Sequence, residues 1–141
     1  MKEHSLRNLL LIEDHEDTAN LMARMLRSSF NITIATTQKR ALHELDSRTF
    51  DAILSDISLS DGSGLTIMRE VRRGRLNTDT PAIALSGHGF SEDIQASIDA
   101  GFNKHLLKPL DFTFLVSTLH HLTRRSDATA EGESSPASLG D

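Results

Sequence analysis

The stretch Asp51-Ala-Ile-Leu-Ser-Asp-Ile-Ser-Leu-Ser-Asp-Gly-Ser-Gly-Leu65 combines a short apolar run, a carboxylate and a turn. The run Ala52-Ile-Leu54 is typical of a strand that is buried on both faces of a parallel sheet. It ends on Asp56, and residues rich in Ser, Asp and Gly follow before a helical pattern begins at Leu65. A carboxylate at the carboxyl end of such a strand lies where open α/β sheets bind their ligands. The alternative is that Asp56 only caps the turn that follows it.

The composition limits the class of protein. A chain of 141 residues is long enough for one domain with its own core. Hydrophobic residues make up 38% and charged residues 25%, and the absence of cysteine excludes disulfides and cysteine-bound metals. The net charge of -5 argues against direct binding of nucleic acid, which needs a basic face. No apolar run is long enough for a membrane span or a signal peptide, so we expect a cytoplasmic protein without membrane contact.

Hydrophobic periodicity predicts five strands that alternate with five helices. The predicted strands cover residues 8–12, 31–36, 52–55, 82–85 and 104–107. The predicted helices cover residues 16–28, 37–47, 64–73, 91–101 and 112–124. Such alternation requires a parallel sheet with right-handed crossovers and helices on both faces. We therefore predict an α/β fold, a flavodoxin-like doubly wound (βα)5 sandwich with strand order 2-1-3-4-5.

The two ends of the chain differ from its middle. Residues 1–7 are polar and are predicted to be a leader, and residues 8–125 form the predicted domain. Residues 126–141 consist mainly of Ser, Ala, Gly, Asp and Glu, with very little apolar content. Such a segment cannot bury enough apolar surface to fold, so it is predicted to be a disordered tail.

Polar residues follow four of the five predicted strands. Glu13 and Asp14 follow the first strand, Asp56 ends the third, Ser86 follows the fourth and Lys108 follows the fifth. The predicted strand order brings these residues to one edge of the sheet. Three neighbouring carboxylates cannot all remain ionised without a cation, and an all-oxygen ligand set favours Mg²⁺.

The predicted Mg²⁺ ligands are assigned from their positions. Asp14 and Asp56 are the predicted direct ligands, Glu13 acts through a water molecule, and the Ser58 backbone carbonyl completes the set. Because carboxylates can form acyl phosphates, Asp56 is also the candidate nucleophile. The charge of Lys108 and the hydroxyl of Ser86 would then complete a pocket for a tetrahedral dianion.

Four ordered motifs resemble those of the response-regulator receiver domain of two-component signalling. They are Glu13-Asp14, Asp56 with the following Asp61-Gly-Ser-Gly64, Leu85-Ser86-Gly87, and Lys108-Pro109. The resemblance covers residues 8–124. The forms Ala84-Leu-Ser-Gly-His88 and His105-Leu-Leu-Lys-Pro109 look most like receivers of hybrid histidine kinases, which points to a phosphorelay.

The resemblance implies a function and roles for individual residues. It implies that Asp56 accepts a phosphoryl group from a phosphohistidine of a histidine kinase or histidine phosphotransfer protein, with Mg²⁺ required. Ser86, with Gly87 beside it, would bind the phosphoryl oxygens, and His105 would turn inward as a switch. The bond before Pro109 would be cis, an isomer that is accessible before proline.

The resemblance also implies an output surface formed by the fourth helix, the fifth strand and the fifth helix. This surface would contact partner proteins or form a weak homodimer. Phe114 lies off the apolar stripe of the fifth helix, so it is either a local packing residue or a docking contact on that surface.

Several alternatives stay open from the sequence. His105 replaces the more usual Tyr or Phe, and it is either the switch or a partly exposed strand histidine. Ser60 stands where the family commonly has proline, so the loop after Asp56 is expected to be less rigid.

An aspartyl-phosphate phosphatase would usually carry a second Asp at the position of Ser58. A receiver-like interaction module that is never phosphorylated would not bind Mg²⁺. A flavin carrier would need an aromatic residue such as Trp or Tyr, which the chain lacks. Either a single-domain regulator or a receiver of a hybrid kinase fits the sequence.

Overall fold

The computed structural model describes residues 6–87, 89 and 91–131 of the chain. The described residues fall into two compact units, one that ends at Leu110 and one that begins at Asp111. Part of the predicted leader, residues 1–5, and part of the predicted tail, residues 132–141, lie outside the described residues. Within the described ranges, no helix has both the length and the apolar character needed to cross a membrane.

The first unit contains a five-stranded parallel sheet and a small antiparallel ribbon. In chain order the strands are β1 (Arg7–Ile12), β2 (Phe30–Ala35), β3 (Ala52–Asp56), β4 (Ser58–Leu59), β5 (Gly62–Ser63), β6 (Ala82–Ser86) and β7 (Lys104–Leu107). The large sheet has the order β2-β1-β3-β6-β7, and β4 pairs with β5. Counting only the strands of the large sheet, this is the predicted order 2-1-3-4-5. The flavodoxin-like prediction is confirmed; the ribbon was not predicted.

Four helices connect the strands of the first unit. They are α1 (Glu16–Leu26), α2 (Gln38–Ser47), α3 (Gly64–Arg72) and α4 (Ser91–Ala100). Thr37 caps α2 by accepting the Arg40 backbone N–H, and Ser63 caps α3 by accepting that of Leu65. These side chains satisfy amide groups that have no partner inside the helix, so they fix where each helix begins.

The central strands are buried along their whole apolar length. Leu9, Leu10, Leu11 and Ile12 of β1 have no exposed surface, and neither do Ile53 and Leu54 of β3. Because both faces of these strands are covered, their sequences are continuously apolar and do not alternate.

The register of the sheet aligns the strand ends that carry polar residues. Ile12 pairs with Ser55, so the residues after β1 lie beside the end of β3. Asp56 pairs with Leu85, and Ser86 pairs with Leu107. The carboxyl ends of β1, β3, β6 and β7 therefore meet at one edge, which positions the candidate site.

In the second unit the structure describes the helix α5 (Phe112–Glu131), which Asp111 caps by accepting the Phe114 backbone N–H at 3.1 Å. The apolar stripe of α5 includes the buried residues Leu115, Leu119 and Leu122. The sequence predicts that this helix ends at Arg124 and that a disordered tail starts at residue 126, whereas α5 continues to Glu131. The added segment contains alanines and no Gly or Pro, so its low apolar content is compatible with a helix.

Candidate functional site

The carboxylates of Glu13, Asp14 and Asp56 lie together at the carboxyl edge of the sheet. Glu13 is 1% exposed and Asp56 is 6% exposed, which is unusual for acidic side chains. Among the described residues, neither Glu13 Oε1 nor Asp14 Oδ1 accepts a hydrogen bond of good geometry, although Lys108 Nζ lies 3.5 Å from the first and His15 Nδ1 3.2 Å from the second. Buried carboxylate oxygens that accept no hydrogen bond are costly, and a bound cation would lower that cost.

Lys108 supplies the positive charge of the site. Its Nζ donates a hydrogen bond to Asp56 Oδ2 at 2.8 Å and lies 3.5 Å from Glu13 Oε1. Burial acts to lower the pKa of Lys108, but the hydrogen bond and charge of Asp56, together with Glu13, outweigh it and raise the pKa. The Lys108 backbone N–H donates to the Ser86 carbonyl at 2.9 Å, which anchors the residue beside the end of β6. The Lys108–Pro109 peptide bond is cis.

The Asp56 side chain is also held from the loop that follows it. Its Oδ1 accepts the Ser58 backbone N–H at 3.3 Å. The backbone of Gly64 packs directly against the Asp56 carbonyl, and a Cβ at position 64 would also lie 2.9 Å from Ser55 Oγ. Only glycine allows this close approach without displacing the backbone of Asp56.

The loop after Asp56 is fixed by contacts with the start of α2. Asp61 Oδ1 accepts the Gln38 backbone N–H at 2.6 Å, and its Oδ2 accepts that of Lys39 at 3.2 Å. The Gln38 side chain in turn accepts the Ser63 backbone N–H at 2.9 Å. These contacts and the β4–β5 ribbon hold the loop that contains Ser60, where the family's proline is absent.

Ser86 and His105 are joined by a hydrogen bond. Ser86 Oγ lies 2.7 Å from His105 Nε2, and Ser97 Oγ lies 2.9 Å from His105 Nδ1. His105 is thus half-buried and faces the site, as an inward-turned residue would. Sequence reasoning missed Ser97, since a serine in the middle of a helix carries no signal of this contact.

A cleft of about 520 Å³ opens over these residues. Its lining includes the predicted residues Asp14, Asp56, Ser58, Ser86, Gly87, His105 and Lys108. Gly87 is exposed, and an added Cβ there would meet open space, so its role is not a steric requirement of the fold. Phe114, the predicted docking residue, belongs to the second unit and is 56% exposed.

His15 is a further residue of the site that sequence reasoning did not place there. Its Nδ1 lies 3.3 Å from Glu13 Oε2 and 3.2 Å from Asp14 Oδ1. In the sequence, its position directly after the acidic pair was the only signal of this contact. Its side chain is 78% exposed. It balances part of the negative charge when its imidazole is protonated.

The donor set fits Mg²⁺. Carboxylates and backbone carbonyls are the ligands of this hard cation, which binds through one or two carboxylates and keeps several waters. Glu13 and Asp14 each present an oxygen that accepts no hydrogen bond, and Asp56 lies beside them in the same group of strand ends. Among the described residues, the ligand atoms that lie within 4.8 Å of one another belong to Glu13, Asp14 and His15. The ligand set predicted from the sequence, which includes Asp56 and the Ser58 carbonyl, stays a prediction.

The model of the response regulator receiver domain family matches residues 9–120 of the chain. The chain belongs to this family. Receiver domains of response regulators are phosphoaccepting signalling switches; histidine kinases phosphorylate them, and they bind Mg²⁺ in an acidic pocket.

Curated relatives of this receiver domain differ in length. The chain is 33% identical over 105 residues to an uncharacterized 14.6 kDa protein of Leptolyngbya boryana, a match that covers 74% of the chain and 80% of the relative. It is 26% identical over 117 residues to the transcriptional regulatory protein ZraR of Escherichia coli O157:H7, covering 82% of the chain but 26% of ZraR. Among the named transcriptional regulators, the chain spans from 26% to 56% of their lengths.

Solved structures show the same fold. The receiver domain of the sensor histidine kinase PA1611 from Pseudomonas aeruginosa PAO1 superposes with a TM-score of 0.79 and is 27% identical. The match covers 85% of this chain and 99% of that one. That protein was crystallised with a magnesium ion coordinated in its active site cleft.

Proposed function

We propose that Asp56 is the phosphoryl acceptor of this receiver domain and that its donor is a phosphohistidine of a histidine kinase or histidine phosphotransfer protein. The observation that carries the proposal is the setting of the Asp56 carboxylate. It is nearly buried, accepts a hydrogen bond from Lys108 at 2.8 Å, and lies beside an acidic pair in which one oxygen of each carboxylate accepts no hydrogen bond. A turn cap would need none of these features.

The transfer is a displacement at phosphorus. A carboxylate oxygen of Asp56 forms the new P–O bond while the P–N bond of the phosphohistidine breaks, and the released imidazole takes up a proton. Lys108 balances charge on the transferred group, and the Ser86 hydroxyl and the backbone at Gly87 line the space for its oxygens. Position and charge thus supply most of what phosphoryl transfer requires.

The residues proposed to hold Mg²⁺ are Asp14 and Asp56 directly, Glu13 through water, and Ser58 through its backbone carbonyl. The Glu13 and Asp14 oxygens that accept no hydrogen bond support this assignment, as does the ion in the PA1611 receiver cleft. The bound ion would neutralise the carboxylates and the charge that develops on the phosphoryl oxygens.

The proposed output surface presents apolar side chains in each unit. In the first unit, Ile94 and Ile98 of α4 are 37% and 42% exposed, and Leu107 of β7 is 49% exposed. In the second unit, Phe114 is 56% exposed. Exposed apolar groups of this kind suit a protein partner or a weak homodimer.

The chain acts in a phosphorelay or as a single-domain regulator in this proposal. The likeness to the receiver of a sensor histidine kinase supports the phosphorelay. The net charge of -5 supports output through protein contacts and not through DNA.

Incubation with acetyl phosphate and Mg²⁺, followed by intact mass measurement, tests the acceptor. The wild type should gain about 80 Da, the mass of one phosphoryl group. Asp56→Asn should gain nothing, while Asp46→Asn, the same change on an exposed face of α2, should behave as wild type. An adduct that persists in Asp56→Asn would refute the assignment.

Other outcomes identify the rival functions. Steady release of phosphate from small phosphate esters would indicate an aspartyl-phosphate phosphatase. A wild type that neither gains the adduct nor binds Mg²⁺ would be an interaction module. Transfer from a phosphorylated histidine kinase domain or phosphotransfer protein, followed in the same assay, then tests the class of donor.

A further inference from the structure

The His105 imidazole lies between two serine hydroxyls from different elements. Ser86, at the end of β6, contacts Nε2 at 2.7 Å, and Ser97, in the middle of α4, contacts Nδ1 at 2.9 Å. Both hydroxyls are enclosed, since Ser86 is 8% exposed and Ser97 has no exposed surface. The three side chains form one continuous set of hydrogen bonds from the candidate site to α4.

The burial of Ser97 is unusual for its helix. The apolar residues Ile94 and Ile98 of α4 are more than a third exposed, while the polar Ser97 between them is fully enclosed. Placing a hydroxyl inside and isoleucines outside forgoes burial of apolar area. The hydrogen bond between Ser97 and His105 offers a reason for the enclosed position of the serine.

The direction of these hydrogen bonds follows from which of the atoms can donate a hydrogen and which can only accept one. Ser97 Oγ also lies 2.7 Å from the Ile94 carbonyl oxygen, which can only accept. The single hydroxyl hydrogen of Ser97 therefore points to Ile94, and the ring nitrogen that faces Ser97 must carry a hydrogen. In the neutral imidazole this places the hydrogen on Nδ1, so Nε2 of His105 accepts the hydroxyl hydrogen of Ser86.

We propose that Ser97 is a positioning residue for phosphoryl binding, which selects the Nδ1–H tautomer of His105 and thereby directs the Ser86 hydroxyl toward the ring. In this arrangement the Ser86 hydrogen is used by His105, so a phosphoryl oxygen on Asp56 has to compete for it. The competition between His105 and a phosphoryl oxygen rests on the proposed function of Asp56, whereas the selection of the tautomer by Ser97 does not. Ser97 thus favours the arrangement in which the Ser86 hydrogen is bound to His105 and is not available to a phosphoryl oxygen.

Loss of the Ser97 hydroxyl should release this restraint. Without an acceptor opposite Nδ1, the neutral ring can carry its hydrogen on Nε2 and donate to Ser86 Oγ. The Ser86 hydrogen then becomes available to a phosphoryl oxygen while its lone pair serves His105. Since one intramolecular hydrogen bond is at stake, Ser97→Ala should bind the phosphoryl mimic beryllofluoride about two- to tenfold more tightly than wild type.

The tautomer is measured first, in the unliganded protein. The ¹⁵N chemical shifts of the His105 ring, recorded at a pH high enough that they no longer change with pH, should show a protonated Nδ1 and an unprotonated Nε2. Ser97→Ala should shift the population toward the Nε2–H form, and Ser97→Thr, which keeps the hydroxyl, should restore the wild-type pattern. A wild-type ring with its hydrogen on Nε2 would overturn the proposal whether or not Asp56 is ever phosphorylated.

Calorimetric titration with beryllofluoride and Mg²⁺ measures the effect on binding. Ser47→Ala is the matched control, because Ser47 also bonds a carbonyl of its own helix, that of His43 at 2.6 Å, but lies on the exposed face of α2. It should leave the affinity unchanged. In a His105→Phe background, Ser97→Ala should have no effect on affinity, because its influence acts through the ring.

The two proposals fail in different ways. Unchanged affinity in Ser97→Ala, or the same gain with and without the His105 imidazole, would overturn the role of Ser97 while leaving Asp56 as acceptor. A wild type that binds no beryllofluoride and gains no phosphoryl adduct would refute the proposed function, and the ¹⁵N pattern would still decide whether Ser97 selects the tautomer.

Discussion

The Asp61 carboxylate accepts the Gln38 backbone N–H at 2.6 Å, which joins the loop after the proposed acceptor to the first turn of α2. The Gln38 side chain returns the contact by accepting the Ser63 backbone N–H at 2.9 Å. A carboxylate at a helix N-terminus is favoured by the partial positive charge there. The pair therefore supplies order to a loop that has Ser60 in place of the family's proline.

Removal of the Asp61 carboxylate should lower the urea midpoint of unfolding without a change in its slope. Asp61→Ala should lose more than Asp61→Asn, since the amide keeps one acceptor oxygen. Asp46→Ala serves as the control, because Asp46 is an exposed carboxylate on α2, the helix that Asp61 contacts, but lies far from the N-terminus of that helix. Equal midpoints for wild type and Asp61→Ala would show that the loop does not depend on this contact.

The effect of Asp61 should also depend on pH. Hydrogen bonds from the Gln38 and Lys39 amides lower the pKa of Asp61 in the folded protein. A group with a lowered pKa stabilises the fold above its unfolded value, about 3.9, and that contribution is lost as the pH falls through the folded value. The difference in midpoint between wild type and Asp61→Ala should therefore be constant near neutrality and shrink below about pH 4. A difference that grows in acid would contradict this assignment.

Lys108 should show the opposite pH dependence. Burial alone would lower its pKa, but Asp56 and Glu13 outweigh burial and raise it in the folded protein. Its contribution is therefore fully present below the unfolded value, about 10.4, and is lost as the pH rises through the folded value. In the absence of divalent ions, the stability difference between wild type and Lys108→Met should narrow only above about pH 10. Lys104→Met, which removes an exposed lysine from β7, should stay close to wild type near neutrality.

The fold was predictable because its signals are local and repeated. Uninterrupted apolar runs such as Leu9–Ile12 are typical of buried strands of a parallel sheet, and each is followed by a polar residue or a turn. Once the strand order was assumed, the polar strand ends had to meet, and the register Ile12 to Ser55 places the acidic pair beside Asp56. Topology thus turned positions far apart in the sequence into one site.

The rest depended on contacts that leave no pattern in a single sequence. Gln38 and Ser97 look like ordinary surface residues of helices, yet one holds the loop and the other bonds His105. In α4 the periodicity even misleads, because Ile94 and Ile98 are exposed while Ser97 is enclosed. The role of each of these polar side chains depends on a partner that is separated from it in the sequence and lies near it only in the folded chain.

Mg²⁺ should stabilise the receiver domain by binding its acidic edge. At a free concentration ten times the dissociation constant, binding contributes about 1.4 kcal/mol, a rise in melting temperature of roughly 5 °C for a domain of this size. Asp14→Asn should reduce the rise and, without Mg²⁺, should be at least as stable as wild type because carboxylate repulsion is relieved. Asp46→Asn should keep the full response. A rise of the same size in Asp14→Asn would place the ion elsewhere.

Gly64 offers the sharpest test of how the loop positions Asp56. A methyl group there would collide with the Asp56 carbonyl and lie 2.9 Å from Ser55 Oγ, so Gly64→Ala has to displace the end of β3. Such overpacking should cost about 1–3 kcal/mol in urea unfolding. Gly74→Ala is the matched control, because its Cβ would make ordinary contacts at 3.5 Å with the carbonyls of Glu70 and Val71. It should be neutral or more stable by up to about 1 kcal/mol, since alanine restricts the unfolded chain.

The same pair of variants separates stability from site geometry. Because Gly64 contacts the backbone of Asp56 itself, Gly64→Ala should slow the gain of the phosphoryl adduct from acetyl phosphate by at least about tenfold even at temperatures where the variant is fully folded. Gly74→Ala should react at the wild-type rate. If a folded Gly64→Ala gained the adduct as fast as wild type, the close approach of Gly64 would serve packing alone, and the position of Asp56 would be set by Lys108 and Ser58.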